Sequence, residues 1–198
     1  MWHMNMFDAQ ILAQNLIEGS NSFPLLAVPF FMLAGELMNA GGISKRIVNF
    51  ALSWVGHIRG GLGIVAIVAA VIMAAISGSA AADAAALATM LIPMMRQAGY
   101  DIPRAAGLIS AGGVIAPVLP PSIGMIVFGV VANVSIGKLF MAAIVPGLMM
   151  GISLLVAWLI VARRDQVKVF PRMPMGQRLR VALDSVWALV SLLALWAV

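Results

Sequence analysis

The sequence predicts an all-α integral membrane protein, and three observations carry that prediction. Hydrophobic residues make up 63% of the chain and charged residues only 10%, with a mean hydropathy of +1.05; a soluble domain carries about 25% charged residues. The 12 lysines and arginines sit in short connectors between apolar runs. The 10 prolines and 19 glycines lie mostly within or beside those runs, where membrane helices tolerate them because neighbouring groups re-satisfy the freed backbone. The net charge of +5 therefore reads as cytoplasmic loops and not as a nucleic-acid groove. The absence of cysteine excludes disulfides and thiolate metal sites, leaving only His3 and His57, far apart, for zinc or haem.

Residues 1–22 are mixed and mildly amphipathic, with Ile11, Leu12, Leu16 and Ile17 at helical spacing, and read as an interfacial or connecting segment. They lack the basic start and apolar core of a cleavable signal peptide. Phe23–Ile43 supplies about the 20 residues that a bilayer crossing needs. Pro24 and Pro29 lie in its first half, Glu36 in its second, and Gly41-Gly42 near its end. Glu36 is assigned a structural role, paired with Asn39 or reaching toward Lys45. Residues 44–59 form a basic connector with Lys45, Arg46 and Arg59, and His57 reads as an interfacial loop residue.

The central block, Gly60 to Met95, holds 36 residues and a single charge, Asp83. Two crossings and a turn need at least about 40 residues. The block is too short to cross twice and too long to cross once, so a re-entrant helical hairpin over about 60–95 fits. One arm runs from Leu62 to Ile76, the tip is Ser77-Gly78-Ser79, and the other arm returns to about Met95. A charge at membrane depth costs roughly 2.5–3.5 kcal/mol and marks a functional candidate. Asp83 falls in the first turn of the return arm, where the helix dipole favours a carboxylate. Holding the tip and binding a cation are both open to it, with the structural role preferred.

Residues 96–104 form a loop containing Gly99, Asp101 and Pro103. No charge follows until Lys138, and the middle of this stretch reads Ala116-Pro117-Val118-Leu119-Pro120-Pro121-Ser122. Prolines there cannot continue a helix, and each also bends the residue before it away from helical geometry. One discontinuous helix over about 105–137 is expected, broken into two halves. Leu139–Ala162 is a further full span. Residues 163–180 form a basic cytoplasmic linker, with six basic residues and one acid, Asp165. Residues 181–198 start another apolar helix, interrupted only by Asp184, and the chain is expected to be a fragment. With this topology 11 of the 12 basic residues lie on the inner side and only Lys138 outside, as the positive-inside rule requires.

A hairpin tip and a mid-membrane helix break leave backbone groups that are tolerated only inside protein or against a watery cavity. Half-helix N-termini favour anions, and exposed carbonyls and helix C-termini favour cations. The tip offers the hydroxyls of Ser77 and Ser79, the flexibility of Gly78 and a helix start near Ala80. The break offers carbonyls around Ala116 to Leu119, a geometry enforced by Pro117, Pro120 and Pro121, and the Ser122 hydroxyl at the start of the second half-helix. Sodium suits such oxygens and organic anions suit the N-termini. Small residues in membrane helices also serve close packing, which alone accounts for Ala80–Ala86; the second break beside the tip decides for a transport site.

Several motifs then point to one family. Residues 30–44 (FFMLAGELMNAGGIS), Gly56-His57 with Gly60-Gly61-Leu62, Ser77–Asp83, Ile92-Pro93-Met94, Gly99-Tyr100 and Ala116–Ser122 together resemble the large permease subunit, DctM type, of TRAP (tripartite ATP-independent periplasmic) transporters. The resemblance covers most of residues 20–165 and is nearest to permeases for sugar acids, including the diketogulonate type, or C4-dicarboxylates. It implies half of an inverted-repeat elevator transporter in a bacterial inner membrane, taking up organic acids with sodium as coupling ion and no other cofactor. It also implies a small four-helix membrane subunit and a periplasmic substrate-binding protein as partners. By position, Ser77, Gly78, Ser79 and Asp83 with Ala116, Pro117, Pro120, Pro121 and Ser122 would form half of the sodium and substrate site. Family members carry a preceding span and a second repeat that this chain lacks, so transport by it alone is not expected. Rival readings are a sodium–dicarboxylate symporter needing no binding protein, a truncated membrane product without function, and an intramembrane protease using Ser79 or Asp83. The last lacks a well-placed base or second acid.

Overall fold

The computed structural model describes residues 9–21, 23–162 and 174–196, and every regular element among them is an α-helix. The outer parts of the N-terminal segment, most of the basic linker and the last two residues lie outside the described residues. In chain order the helices are α1 (Ala9–Ser20), α2 (Phe23–Ala40), α3 (Ile43–Val55), α4 (Gly61–Ser77), α5 (Ala80–Gln97), α6 (Ile102–Gly113), α7 (Ile123–Val131), α8 (Ile136–Ala162) and α9 (Met175–Trp196).

The centre of the molecule is α4. Its sequence is apolar all round, and an all-round apolar helix must be covered on every side. Leu62, Val65, Ala66, Ala69, Ala70, Met73 and Ala74 are all buried, packed by α3, α5, α6 and α8. From α5 the core receives Leu87, Leu91 and Met95, one per turn, and from α6 Ala105, Leu108 and Ile109. Only Gly78 and Ser79 separate α4 from α5, and the two helices pack on each other as a hairpin. At about 1.5 Å per residue the 17 residues of α4 span roughly 26 Å, less than the roughly 30 Å of a bilayer core.

The stretch 44–59, assigned above as a connector, is itself mostly helical. Its apolar positions Ile47, Val48 and Ala51 recur at three- and four-residue steps and are buried, while Lys45, Arg46, Asn49 and Trp54 stay exposed. The chain turns 62° between Pro24–Met38 and Ile43–Val55. Gly42 makes that turn at φ +76°, in the left-handed region open to glycine. α9 is fastened to α3 by two bonds: the Arg46 guanidinium donates to the Asp184 carbonyl at 3.3 Å, and the Ser185 hydroxyl donates to the Arg46 carbonyl at 3.2 Å.

Among the described residues α8 is the one helix long and apolar enough to cross a membrane by itself. Its 27 residues reach about 40 Å, and Met141, Val145, Met149, Ile152, Val156 and Ile160 are exposed along it. An apolar helix with an uncovered apolar face suits lipid. Its inner stripe is small, Ala143, Gly147 and Gly151, so that neighbouring backbones come close. Near its end the Trp158 indole donates to the Gly60 carbonyl at 2.9 Å and stacks on Tyr100, with ring centres 6.2 Å apart. Gly63 is required beneath that ring, since a Cβ there would overlap it.

Candidate functional site at the hairpin tip and the helix break

α4 ends because Gly78 takes a left-handed conformation, φ +61°, while its N–H still bonds back to Ala74 O at 3.3 Å. Ser79 is extended (φ −113°, ψ 104°), and α5 begins at Ala80 with no side-chain cap. The tip is instead wired through Ser77. Its hydroxyl donates to Asp83 Oδ1 at 2.6 Å and accepts from the Ser79 N–H at 3.1 Å. Asp83 is 1% exposed, with its own N–H bonded to Ser79 O at 3.1 Å. A carboxylate in the first turn of α5 complements the positive end of that helix, and the Ser77 bridge ties it across the break in the chain.

The break in the second element runs from Val114 to Ser122, between α6 and α7. Turn bonds carry the chain as far as Leu119, whose N–H reaches Ile115 O at 2.9 Å; beyond it Pro120 and Pro121, joined by a cis peptide bond, provide no donors. Ser122 closes the gap. Fully buried, it donates its hydroxyl to Pro117 O at 2.6 Å, and its own carbonyl accepts the Ile126 N–H of α7 at 3.1 Å. Ser122 is the residue before α7, again without a side-chain cap on the helix. Ala116 and Leu119 pack with Ala74 and Ile115 in a small core of their own. Gly147 of α8 seats Leu119 from behind: a Cβ there would lie 2.6 Å from Leu119 Cδ1.

The tip and the break touch. A Cβ on Gly78 would come within 2.7 Å of Pro121 O and 3.2 Å of Ser122 Cα. The starts of α5 and α7, Ser79 and Ser122, therefore flank one contact. Two helix N-termini, the Ser77, Ser79 and Ser122 hydroxyls and the Asp83 carboxylate gather around it. Ser77, Gly78, Ser79, Asp83, Pro121 and Ser122 are thus brought together, and Pro120 is buried beside them. The Pro117 ring faces outward while its carbonyl is taken by Ser122. Ala116 serves packing through its side chain.

Of the two partners expected for Glu36, Lys45 is not engaged. Neither Lys45 nor any other described basic residue forms an ion pair with it, and the Asn39 side chain lies outside the described residues. Glu36 lines a cavity of about 60 Å³ together with Gly35, Ser44, Ser77, Ser79 and Asp83. Gly35 brings α2 to the tip, where a Cβ would sit 3.6 Å from Ser77 Cβ. The small residue directly before an intramembrane acid was the available signal for this approach. The protease reading loses its geometry as well: His57 precedes α4 and Ser79 follows it, about 26 Å of helix apart.

The pattern of the family described as "Tripartite ATP-independent periplasmic transporter, DctM component" matches residues 1–198. The chain belongs to the DctM family. It is 53% identical over 189 residues to the 2,3-diketo-L-gulonate TRAP transporter large permease protein YiaN of Escherichia coli (strain K12), covering 96% of this chain and 44% of YiaN. Against the C4-dicarboxylate TRAP transporter large permease protein DctM of Pseudomonas aeruginosa it is 40% identical over 179 residues, 90% of this chain and 42% of that one. The sialic acid TRAP transporter permease protein SiaT of Haemophilus influenzae is 43% identical over 181 residues, 90% of this chain and 29% of SiaT. These DctM-family relatives are transport permeases and not enzymes. The chain spans less than half the length of each of them.

Proposed function

We propose that this chain provides the hairpin tip and helix break of a sodium-coupled, binding-protein-dependent permease for organic acids, of the sugar-acid or dicarboxylate kind. One observation carries the reading: the contact of Gly78 with Pro121 and Ser122, which sets two uncapped helix starts and three serine hydroxyls around one point. Helix starts attract a substrate carboxylate, and hydroxyl and carbonyl oxygens suit sodium. The α4–α5 hairpin is re-entrant in this reading, since its first arm is shorter than the bilayer core and a tip with open backbone groups needs protein or a cavity around it. The activity belongs to the full-length permease in a bacterial inner membrane, with a small membrane subunit and a periplasmic substrate-binding protein. An elevator motion of the hairpin and break together would expose the site to each side in turn.

The test is uptake by the complete transporter in proteoliposomes, with Ser79→Ala in the permease. The variant is expected to insert normally and to lose its response to sodium. Unchanged sodium dependence contradicts the assignment of the tip. Uptake at full rate without the periplasmic protein moves the chain to a symporter that works alone.

A further inference from the structure

We propose that Glu36 is the second carboxylate of a small-cation site that opens between α2 and the hairpin and faces Asp83 across one cavity. The inference rests on the sodium-coupled reading above and adds to it a residue from an element outside both the hairpin and the break.

The cavity of about 60 Å³ has room for several waters, each needing about 10–15 Å³ of such space. That is large enough for a monovalent cation with part of its water shell. Its polar wall is made of oxygen: the Glu36 and Asp83 carboxylates with Ser44, Ser77 and Ser79. None of its lining residues is basic. The remaining wall is apolar, including Met32, Ile47 and Met73, and supplies no donor.

Asp83 supplies the observation that points to a ligand. Its Oδ1 is satisfied by Ser77 at 2.6 Å, while Oδ2 is buried and without a hydrogen-bond partner among the described residues. A buried carboxylate oxygen left unpaired is costly, more so than a neutral group. No basic residue lines the cavity to offset it, the Ser77 hydroxyl is already given to Oδ1, and the second acid there adds negative charge. A small cation satisfies both carboxylates at once. Glu36 is exposed on α2 and Asp83 is buried on the hairpin, so Glu36 stands at the open side of the cavity, and the cation would join two separate elements of the fold.

Sodium binding to the purified full-length permease, measured by radiolabelled sodium without any transport step, tests this. Glu36→Gln is expected to raise the sodium Kd about tenfold, equal to about 1.4 kcal/mol, while Glu36→Asp stays within about threefold of the parent. The present chain has no cysteine, so Glu36→Cys in a cysteine-free background adds a readout of charge alone. Labelling it with a sulfonate reagent should restore binding, and labelling with a trimethylammonium reagent should abolish it. This pair decides the question should Glu36→Gln fail to fold. Equal sodium affinity of parent and Glu36→Gln, or of the two labelled forms, overturns the role of Glu36 and leaves the tip intact. Absence of saturable sodium binding by the parent overturns the sodium-coupled reading itself.

Discussion

Replacing Gly78 by alanine tests the site at its narrowest point. The change adds one methyl group and asks it to occupy φ +61°, where an L-residue pays about 1–2 kcal/mol. The methyl carbon would lie 2.7 Å from Pro121 O and 3.2 Å from Ser122 Cα, against 3.4 Å or more for ordinary contact. Both neighbours are backbone and cannot rotate away, so the tip must retreat from the break; overpacking of this kind costs typically about 1–3 kcal/mol. The two terms together give roughly 2–5 kcal/mol against the closed arrangement. Retreat of a two-residue tip relieves that strain without unfolding the helices. The expected result is a permease that inserts and purifies normally, with its half-saturating sodium concentration for uptake raised at least tenfold. Gly107→Ala is the matched control: a Cβ there meets nothing within 4 Å, and alanine gains up to about 1 kcal/mol over glycine within a helix. Gly78→Ala with the sodium dependence of the parent, or Gly107→Ala with an equal defect, refutes the reasoning.

Three further perturbations follow from single contacts. Ser77→Ala leaves Asp83 Oδ1 and the Ser79 N–H without their shared partner; the loss, about 1–3 kcal/mol, should show as faster amide exchange confined to residues near the tip. Ser122→Ala removes the bond to Pro117 O that closes the break and should weaken sodium-driven uptake while the melting temperature falls only a few degrees. Trp158→Phe keeps the ring in place over Gly63 but deletes the indole bond to Gly60. About 1 kcal/mol is lost, and the melting temperature of the full-length permease should fall by a few degrees at most, with sodium affinity unchanged.

Much of the architecture was legible because the strongest signals are local. The length of the block from Gly60 to Met95, with Ser77-Gly78-Ser79 near its middle, called for two packed arms, and the helices divide there. Pro117, Pro120 and Pro121 forbade a continuous helix by their own chemistry, and α6 and α7 are separate. The helix α3 was hidden because Lys45, Arg46 and the flanking glycines read as a connector, although Ile47, Val48 and Ala51 already carried the helical spacing. The contact of Gly78 with Pro121 could not be derived from either motif alone, since it depends on how α4, α6 and α8 pack. The approach of Glu36 to the tip was hidden for the same reason. Its place on the cavity that Asp83 also lines follows from Gly35 lying against the tip, a product of the tertiary fold.

The central claim is that the tip is a sodium site closed by the break. Cysteine labelling tests it most directly: Ser79→Cys in an otherwise cysteine-free, full-length permease, treated with a thiol reagent in proteoliposomes. Sodium should slow the labelling several-fold, potassium at the same ionic strength should not, and Gly78→Ala should remove the difference. Labelling at one rate in sodium and in potassium contradicts the account.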